Sequence, residues 1–364
     1  MKNYALGIDL GTTFSKVSVK IGYDRSDIVA DPTSNKNIPS IVNFSKNESG
    51  TTISVGNFAK SKQIYYPKST IYDTKRMLGK PFDDESIQAM IPKWPFTIEQ
   101  NENGEILVCI DEIDQKMPPY QISGELLKYL AKLGNSRLSP ELRTNNVVIT
   151  VPANFHNEQR AETLKAAEYA GLNVLMLLNE PTAAGISYGY NKQQPGAENV
   201  FVFDFGGGTL DVSLLHVNDS EITVIATDGD LFLGGRDFDE RTAEYLLKQR
   251  TFSKYSSSNS KRLNFIQKVN VAKKILSQQN EAIIQYKDDT KQPREYKLTL
   301  SLFEEINRDL IDRILIPVKR LLKTAKIEKE KINSVILVGG SSNMQFVSRK
   351  LTEFFGKSPF NGVD

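Results

Sequence analysis

The sequence predicts an α/β protein built from two similar lobes, on the strength of its length, its alternation of short strand and helix patterns, and one repeated strand–turn–strand design. At 364 residues the chain can bury more than one core, which excludes a small stapled scaffold. Residues 5–10 and 15–21 alternate apolar and polar positions as two short strands, with Gly11-Thr12-Thr13 as the turn between them. Residues 199–205 and 211–215 repeat the design around Gly206-Gly207-Gly208-Thr209. The two copies, Gly-Ile-Asp-Leu-Gly-Thr-Thr and Phe-Asp-Phe-Gly-Gly-Gly-Thr, put Asp9 and Asp204 at matching points. A repeat so distant along the chain predicts two lobes facing each other, the first over 1–193 and the second over 194–364.

Between the copies lie helices with readable ends. Leu126, Leu127, Leu130 and Leu133 recur at helical spacing over 121–133, and Gly134 is a stop signal. A strand over 146–151 is broken by Pro152, and Asn157 is placed to cap a helix over 158–170 that Gly171 closes. In the second half, 238–249 and 263–277 read as helices joined by a serine-rich polar loop at 256–260. Residues 300–322 are helical, with Pro317 expected to kink or divide them. A charged connection at 326–331 then leads to a strand over 334–338 and Gly339-Gly340-Ser341-Ser342.

Composition removes several function classes. About 45% of residues are apolar once glycine is included, the proportion of an ordinary globular protein rather than a disordered one. With 46 basic and 44 acidic side chains, the net charge of +2 gives no general attraction for nucleic acid or a membrane surface, so an anionic ligand has to be held locally. Cys109 is the only cysteine, which forbids an internal disulfide and accords with a reducing compartment. His156 and His216 stand in no zinc-ligand spacing. Asp9 falls where a signal peptide would need its apolar run, and no stretch approaches the roughly 20 apolar residues of a membrane span. A cytoplasmic protein is expected, with the endoplasmic reticulum open if the chain has been trimmed.

The glycine-threonine turns are where chemistry concentrates. Phosphate binding needs backbone N–H groups that converge with no side chains in the way, and such turns supply them. Either turn alone could be a tight hairpin. Two of them, with Asp9 and Asp204 able to hold a hydrated Mg²⁺ and Gly339-Gly340 following a third strand, make a coherent nucleotide site. Neither G-x-x-x-x-G-K-[ST] nor G-x-G-x-x-G occurs. On its own pattern Lys75 reads as an ordinary exposed lysine.

The chain resembles the 70-kDa heat-shock chaperones of the DnaK class, within the actin and hexokinase superfamily. The resemblance runs over essentially the whole sequence. It rests on residues 7–13, Asp73-Thr74-Lys75-Arg76-Met77-Leu78-Gly79, Asn179-Glu180-Pro181-Thr182-Ala183-Ala184, residues 203–211, Leu233-Gly234-Gly235 and residues 337–341. It implies an actin-like ATPase fold, with two ribonuclease-H-like lobes on five-stranded mixed sheets, a helical subdomain at about 236–315, and ATP or ADP with Mg²⁺ in the cleft. By position, Lys75 is expected to reach the γ-phosphate and Glu180 to orient the attacking water. Asp9 and Asp204 would hold Mg²⁺ through water, and Asp211 is the proton acceptor. Thr12, Thr13 and Thr209 would contact phosphates, alongside Gly11, Gly206, Gly207, Gly208 and Gly234. Gly235, Lys273, Ser277, Gly339, Gly340 and Ser341 match positions around ribose and adenine, and Pro152 and Arg160 match a proline switch and its arginine.

Departures from the family fall at two places. Around the base, Arg236 and Asn270 stand for glutamates, Asn343 for an arginine that stacks on adenine, and Lys274 for another arginine. On the regulatory surface, Met176 replaces an arginine that pairs with the J-domain and Asn157 an aspartate linked to linker docking. Standard J-domain stimulation is therefore not expected, whereas a nucleotide-exchange factor is. The sequence given stops where the family continues, so the crossing helix, linker and peptide-binding domain are expected to be absent. The expected function is an ATP-hydrolysing chaperone domain that switches conformation with nucleotide. The alternatives are a non-hydrolysing, co-chaperone-like scaffold and, third, a small-molecule kinase of the superfamily.

Overall fold

Leu6–Asp9 and Asn146–Val151 alternate buried and half-buried residues, so each presents Leu6 and Ile8, or Val147 and Ile149, to one core. They pair in parallel at the centre of a sheet in a computed structural model that describes residues 4–21, 25–48, 50–191, 196–218, 221–288 and 290–360. The chain divides into two compact units, Met1–Glu180 and Pro181–Asp364.

In the first unit the sheet runs Asn173–Asn179, Asn146–Val151, Leu6–Asp9, Phe14–Ile21, Arg25–Ile28, and Ile38–Pro39 pairs with the start of Phe14–Ile21. That is six strands where five are expected. The helices Pro119–Asn135 and Asn157–Tyr169 pack together, and Gly124 allows the approach, since a Cβ there would lie 2.9 Å from the carbonyl of Ala166. The first helix runs through Gly134 rather than stopping at it. A Cβ on Gly134 would sit 3.0 Å from Val17 and 3.1 Å from Leu6, so this glycine serves helix–sheet packing. The second helix is capped one residue early. His156 is the N-cap, its backbone N–H donating to Gln159 Oε1 at 3.1 Å, and Asn157 is the first helical residue. The side chain three positions on decides which residue caps. Two smaller three-stranded sheets complete the unit, one of them carrying Cys109 on Ile106–Ile110. Burial and the neighbouring Glu99 push the Cys109 thiol up to about 11, which keeps it protonated and unreactive near neutral pH.

In the second unit the sheet order is Ile222–Asp230, Leu210–Val217, Glu198–Phe205, Ser334–Val338, four strands among the described residues. Phe360 forms an isolated parallel bridge beside Ser334–Val338, donating from N to Val335 O at 2.7 Å and accepting from Leu337 N at 3.0 Å. Phe201, Phe203 and Phe205 project from the sheet into a core shared with Phe238, Phe303 and Phe346. Helices Gly235–Leu247 and Asn259–Leu276 are linked through a 3₁₀ segment, Arg250–Ser256, so of the predicted loop at 256–260 only Ser257 and Ser258 lie outside helical elements. Ser258 then caps the second helix by accepting from Lys261 N. An antiparallel hairpin, Glu281–Lys287 with Pro293–Thr299, follows and has no counterpart among the sequence expectations.

The predicted division at Pro317 falls upstream of the proline. The segments are Leu300–Ile306, Arg308–Arg313 and Leu315–Ala325, with breaks at Asn307 and Ile314. Proline offers no N–H to the carbonyl four residues back, here Arg313, and its ring crowds that carbonyl, so the ladder opens one turn earlier. Asn307 makes the other break: it is fully buried, with Nδ2 donating to Phe303 O at 2.8 Å and Thr242 Oγ1 at 2.9 Å. No helix among the described residues is long and apolar enough to cross a membrane.

Candidate functional site

Asp9 ends its strand opposite Thr150, whose Oγ1 donates to Asp9 Oδ1 at 2.8 Å and fixes one carboxylate oxygen. The following turn is tied from outside. Ser40 Oγ donates to Gly11 O at 2.7 Å and Ser40 N to Thr13 O at 2.9 Å. A Cβ on Gly11 would run into the carbonyl of Phe14, so only glycine closes this turn. Thr13 Oγ1 is buried with no hydrogen-bond partner. Such an orphaned hydroxyl costs stability unless something else bonds it.

Lys75 sits in the short helix Thr74–Met77, with Asp73 before it in the left-handed region at φ 62°. The buried Asp73 carboxylate accepts from Trp94 Nε1 at 3.1 Å, and Thr74 Oγ1 bonds Ser123 Oγ at 2.9 Å. These anchors put Lys75 inside: it is 8% exposed, not the surface lysine its bare pattern suggests. Its Nζ donates to Glu180 Oε1 at 2.5 Å. Glu180 opens the helix Glu180–Asn191 directly after the strand ending at Asn179. Arg160 Nη2 donates to Asn179 Oδ1 at 2.8 Å, while its Nε donates to Phe155 O at 3.1 Å and its Nη2 reaches Pro152 O at 3.5 Å. The Pro152 loop is thus wired to the residue beside Glu180. Met176 is exposed on the edge strand, and Asn157 is exposed at its helix start.

In the second unit, Asp204 and Asp211 are cross-strand partners flanking the turn that Gly206 N closes on Thr209 O at 2.9 Å. The Gly234-Gly235 turn lies on this one. Gly235 N donates to Gly206 O at 3.0 Å, Arg236 N to Gly207 O at 2.9 Å, and a Cβ on Gly234 would collide with the backbone of Gly208. Gly339, at φ 81°, closes over Asp204: a Cβ there would be 2.5 Å from Asp204 Oδ1. Arg236, at one of the departures from the family, joins this turn through its backbone N–H.

Two of the residues expected around the nucleoside, Lys273 and Asn270, meet at one buried acid, Asp239. Lys273 Nζ donates to Gly235 O at 2.5 Å and to Asp239 Oδ2 at 2.8 Å, and Asn270 Nδ2 donates to the same Oδ2 at 2.8 Å. Ser277 Oγ donates to Lys273 O at 3.3 Å, and a Cβ on Gly235 would strike Ser341 Oγ. Asn343 Nδ2 donates to Gly340 O at 3.3 Å, and Lys274 is exposed one position beyond Lys273. Asp239 is absent from the sequence expectations. Its only signal is an acid in an apolar helix face, and its partner is 34 residues away.

Each unit, taken by itself, carries a turn suited to a phosphate group. Within each unit the glycine turns offer backbone donors, and in the first unit the buried Thr13 hydroxyl is left for an acceptor or donor from outside the protein. Together the two units and their turns define the α/β fold of the actin-like ATPases. A sequence model of the Hsp70 protein family matches residues 5–364, and the chain belongs to that family. It is 37% identical over 366 residues to the "Heat shock 70 kDa protein" of Emericella nidulans, covering 99% of this chain and 56% of that protein. It is 37% identical over 361 residues to the "Chaperone protein HscA homolog" of Mannheimia succiniciproducens, covering 99% and 55%. With the "Heat shock cognate HSP70 protein" of Trypanosoma brucei brucei the identity is 38% over 360 residues, covering 96% and 52%. The chain spans about half the length of these relatives.

Proposed function

We propose that this chain binds Mg-ATP through both phosphate turns, hydrolyses it slowly, and uses the nucleotide state to set the conformation of a chaperone. The observation that carries the reading is the inward-held Lys75 paired with Glu180, because a cation and a carboxylate fixed side by side can act on a phosphoryl group and on the water that attacks it. Asp9 and Asp204 would hold the metal through water, where it would neutralise charge on the phosphates. Asp211 would take the proton from water. At the nucleoside end, Asn270 and Asn343 already donate to Asp239 and Gly340, which supports a weaker grip on the base than a stacking arginine would give.

Mg-ADP or Mg-ATP is expected to raise the melting temperature, and ligand at 100 times its dissociation constant adds about 2.7 kcal/mol. Phosphate release without an added acceptor then separates hydrolysis from a kinase reaction, and binding without release marks a scaffold. A melting temperature unmoved by millimolar nucleotide and Mg²⁺ overturns the reading.

Partners of the whole protein belong to the same proposal, an exchange factor among them. A J-domain is expected to accelerate hydrolysis little, because the exposed Met176 offers apolar contact without charge and Asn157 has no carboxylate. Losing one member of a charged interfacial pair costs about 2–5 kcal/mol. Steady-state phosphate release with and without a J-domain checks this, and strong stimulation would place the coupling surface elsewhere.

A further inference from the structure

Asp211 lies opposite Gly229 on the neighbouring strand, Ile222–Asp230. A Cβ on Gly229 would lie 2.7 Å from Leu210 O and 3.3 Å from Asp211 Oδ1, so the Asp211 carboxylate lies beside space that only glycine at 229 leaves open. This strand is the last in its sheet, with a backbone partner on one side only among the described residues. Its end is held from a helix instead. Arg320, on Leu315–Ala325, donates from Nε to Asp228 Oδ2 at 3.0 Å and from Nη2 to Asp228 Oδ1 at 2.5 Å. The same Nη2 donates to Gly229 O at 3.0 Å, and Asp228 Oδ1 accepts from Gly229 N at 2.6 Å. Both backbone polar groups of Gly229 are therefore taken by one ion pair. Two residues on, Arg313 Nη2 donates to Asp230 Oδ2 at 2.7 Å, and Asp230 Oδ1 accepts from Phe232 N at 2.9 Å, just before the Gly234 turn.

We propose that Arg320, acting through Asp228 and the Gly229 backbone, is a positioning residue for Asp211 in hydrolysis, with Arg313 bracing the turn that follows. The inference rests on the hydrolytic reading above, in which Asp211 accepts the proton. An ion pair with an arginine this exposed adds little to global stability. Its geometry, a planar fork gripping a carboxylate and the adjacent carbonyl together, is what fixes a peptide unit in place. Ground-state nucleotide binding by the phosphate turns does not need that peptide, whereas the proton transfer does.

The experiment compares wild type with Arg320→Ala, Arg320→Lys, Asp228→Asn and the double variant Arg320→Ala/Asp228→Asn. Arg349→Ala, which removes the remote surface pair with Glu304, is the control. Steady-state phosphate release gives kcat and KM, and calorimetry gives Mg-ADP affinity. The expected result is a fall in kcat of about tenfold in Arg320→Ala, with KM and ADP affinity within about twofold. Arg320→Lys should recover part of the rate, since an ammonium can meet Asp228 but not grip both acceptors. The double variant should be no slower than either single one, and Arg349→Ala should match wild type. Turnover should also fall with added salt in wild type and not in Arg320→Ala. Wild-type kcat in Arg320→Ala, or a change confined to KM, overturns the inference and leaves the hydrolytic reading intact. An inert wild type overturns both. If Arg320→Ala does not fold, Arg320→Lys and Asp228→Asn carry the same comparison.

Discussion

Lys75→Ala is expected to lower single-turnover ATP hydrolysis by about 10²–10³-fold while leaving Mg-nucleotide affinity nearly unchanged. The magnitude follows from removing one preorganised donor aimed at charge that grows in the transition state, about 2.7–4 kcal/mol. Lys75 suits that role because it is already positioned: its helix is anchored by Asp73 with Trp94 and by Thr74 with Ser123, so no ordering remains to be done during reaction. Its 2.5 Å bond to Glu180 has a second consequence. Without the ammonium, Glu180 loses one of the contacts that hold it, and water activation is expected to weaken along with phosphate stabilisation. Lys75→Arg should rescue little, since a guanidinium is larger than the space a short Nζ–Oε1 contact leaves. Glu180→Gln should lose a comparable factor, and the double variant should lose less than the product of the two. Single-turnover phosphate release decides the case. An unchanged rate in Lys75→Ala would remove the lysine from the mechanism.

What could be read in the sequence was local. The ends of the strands at Val151, Phe205 and Val338 are legible because apolar patterning stops there at a proline or a glycine, and a break in periodicity depends on neighbours alone. The turn glycines are legible for the same reason. What stayed hidden depends on partners far along the chain. Lys75 looks exposed because nothing near it in sequence shows that Glu180, 105 residues away, will be its partner. Gly134 reads as a helix stop because its contacts with Leu6 and Val17 are tertiary. Pro317 signals a break correctly, but the break falls at Ile314, since a proline disturbs the turn before it. Arg320 and Asp228 carry no motif, being a surface arginine on one element and an acid within an alternating strand until the fold brings them together.

Lys273→Met is expected to cost about 3–5 kcal/mol of stability. Lys273 and Asp239 are 7% and 2% exposed, so neither can turn to water when its partner is lost. Asp239 depends on this lysine more than on anything else. Its Oδ2 accepts from Lys273 and Asn270, while Oδ1 is buried with no partner at all, so methionine in place of lysine leaves a carboxylate with one neutral donor. The same ammonium donates to Gly235 O, where the phosphate-turn helix begins, so the variant also frees the backbone of that turn and should weaken nucleotide binding. Methionine keeps the length and apolar stem of the lysine, which makes the lost charge rather than a cavity the cause. Asp239→Asn should cost a comparable amount, because Lys273 keeps the Gly235 carbonyl but loses its counter-ion. Lys273→Met with Asp239→Asn should then be more stable than Lys273→Met alone, since the unpaired buried charge is gone, a coupling that a pair of independent contacts would not give. Urea unfolding of the four proteins at a constant m-value measures these differences. A Lys273→Met cost below about 1 kcal/mol, the range of an exposed ion pair, would mean that water reaches the pair and that it does not hold the turn.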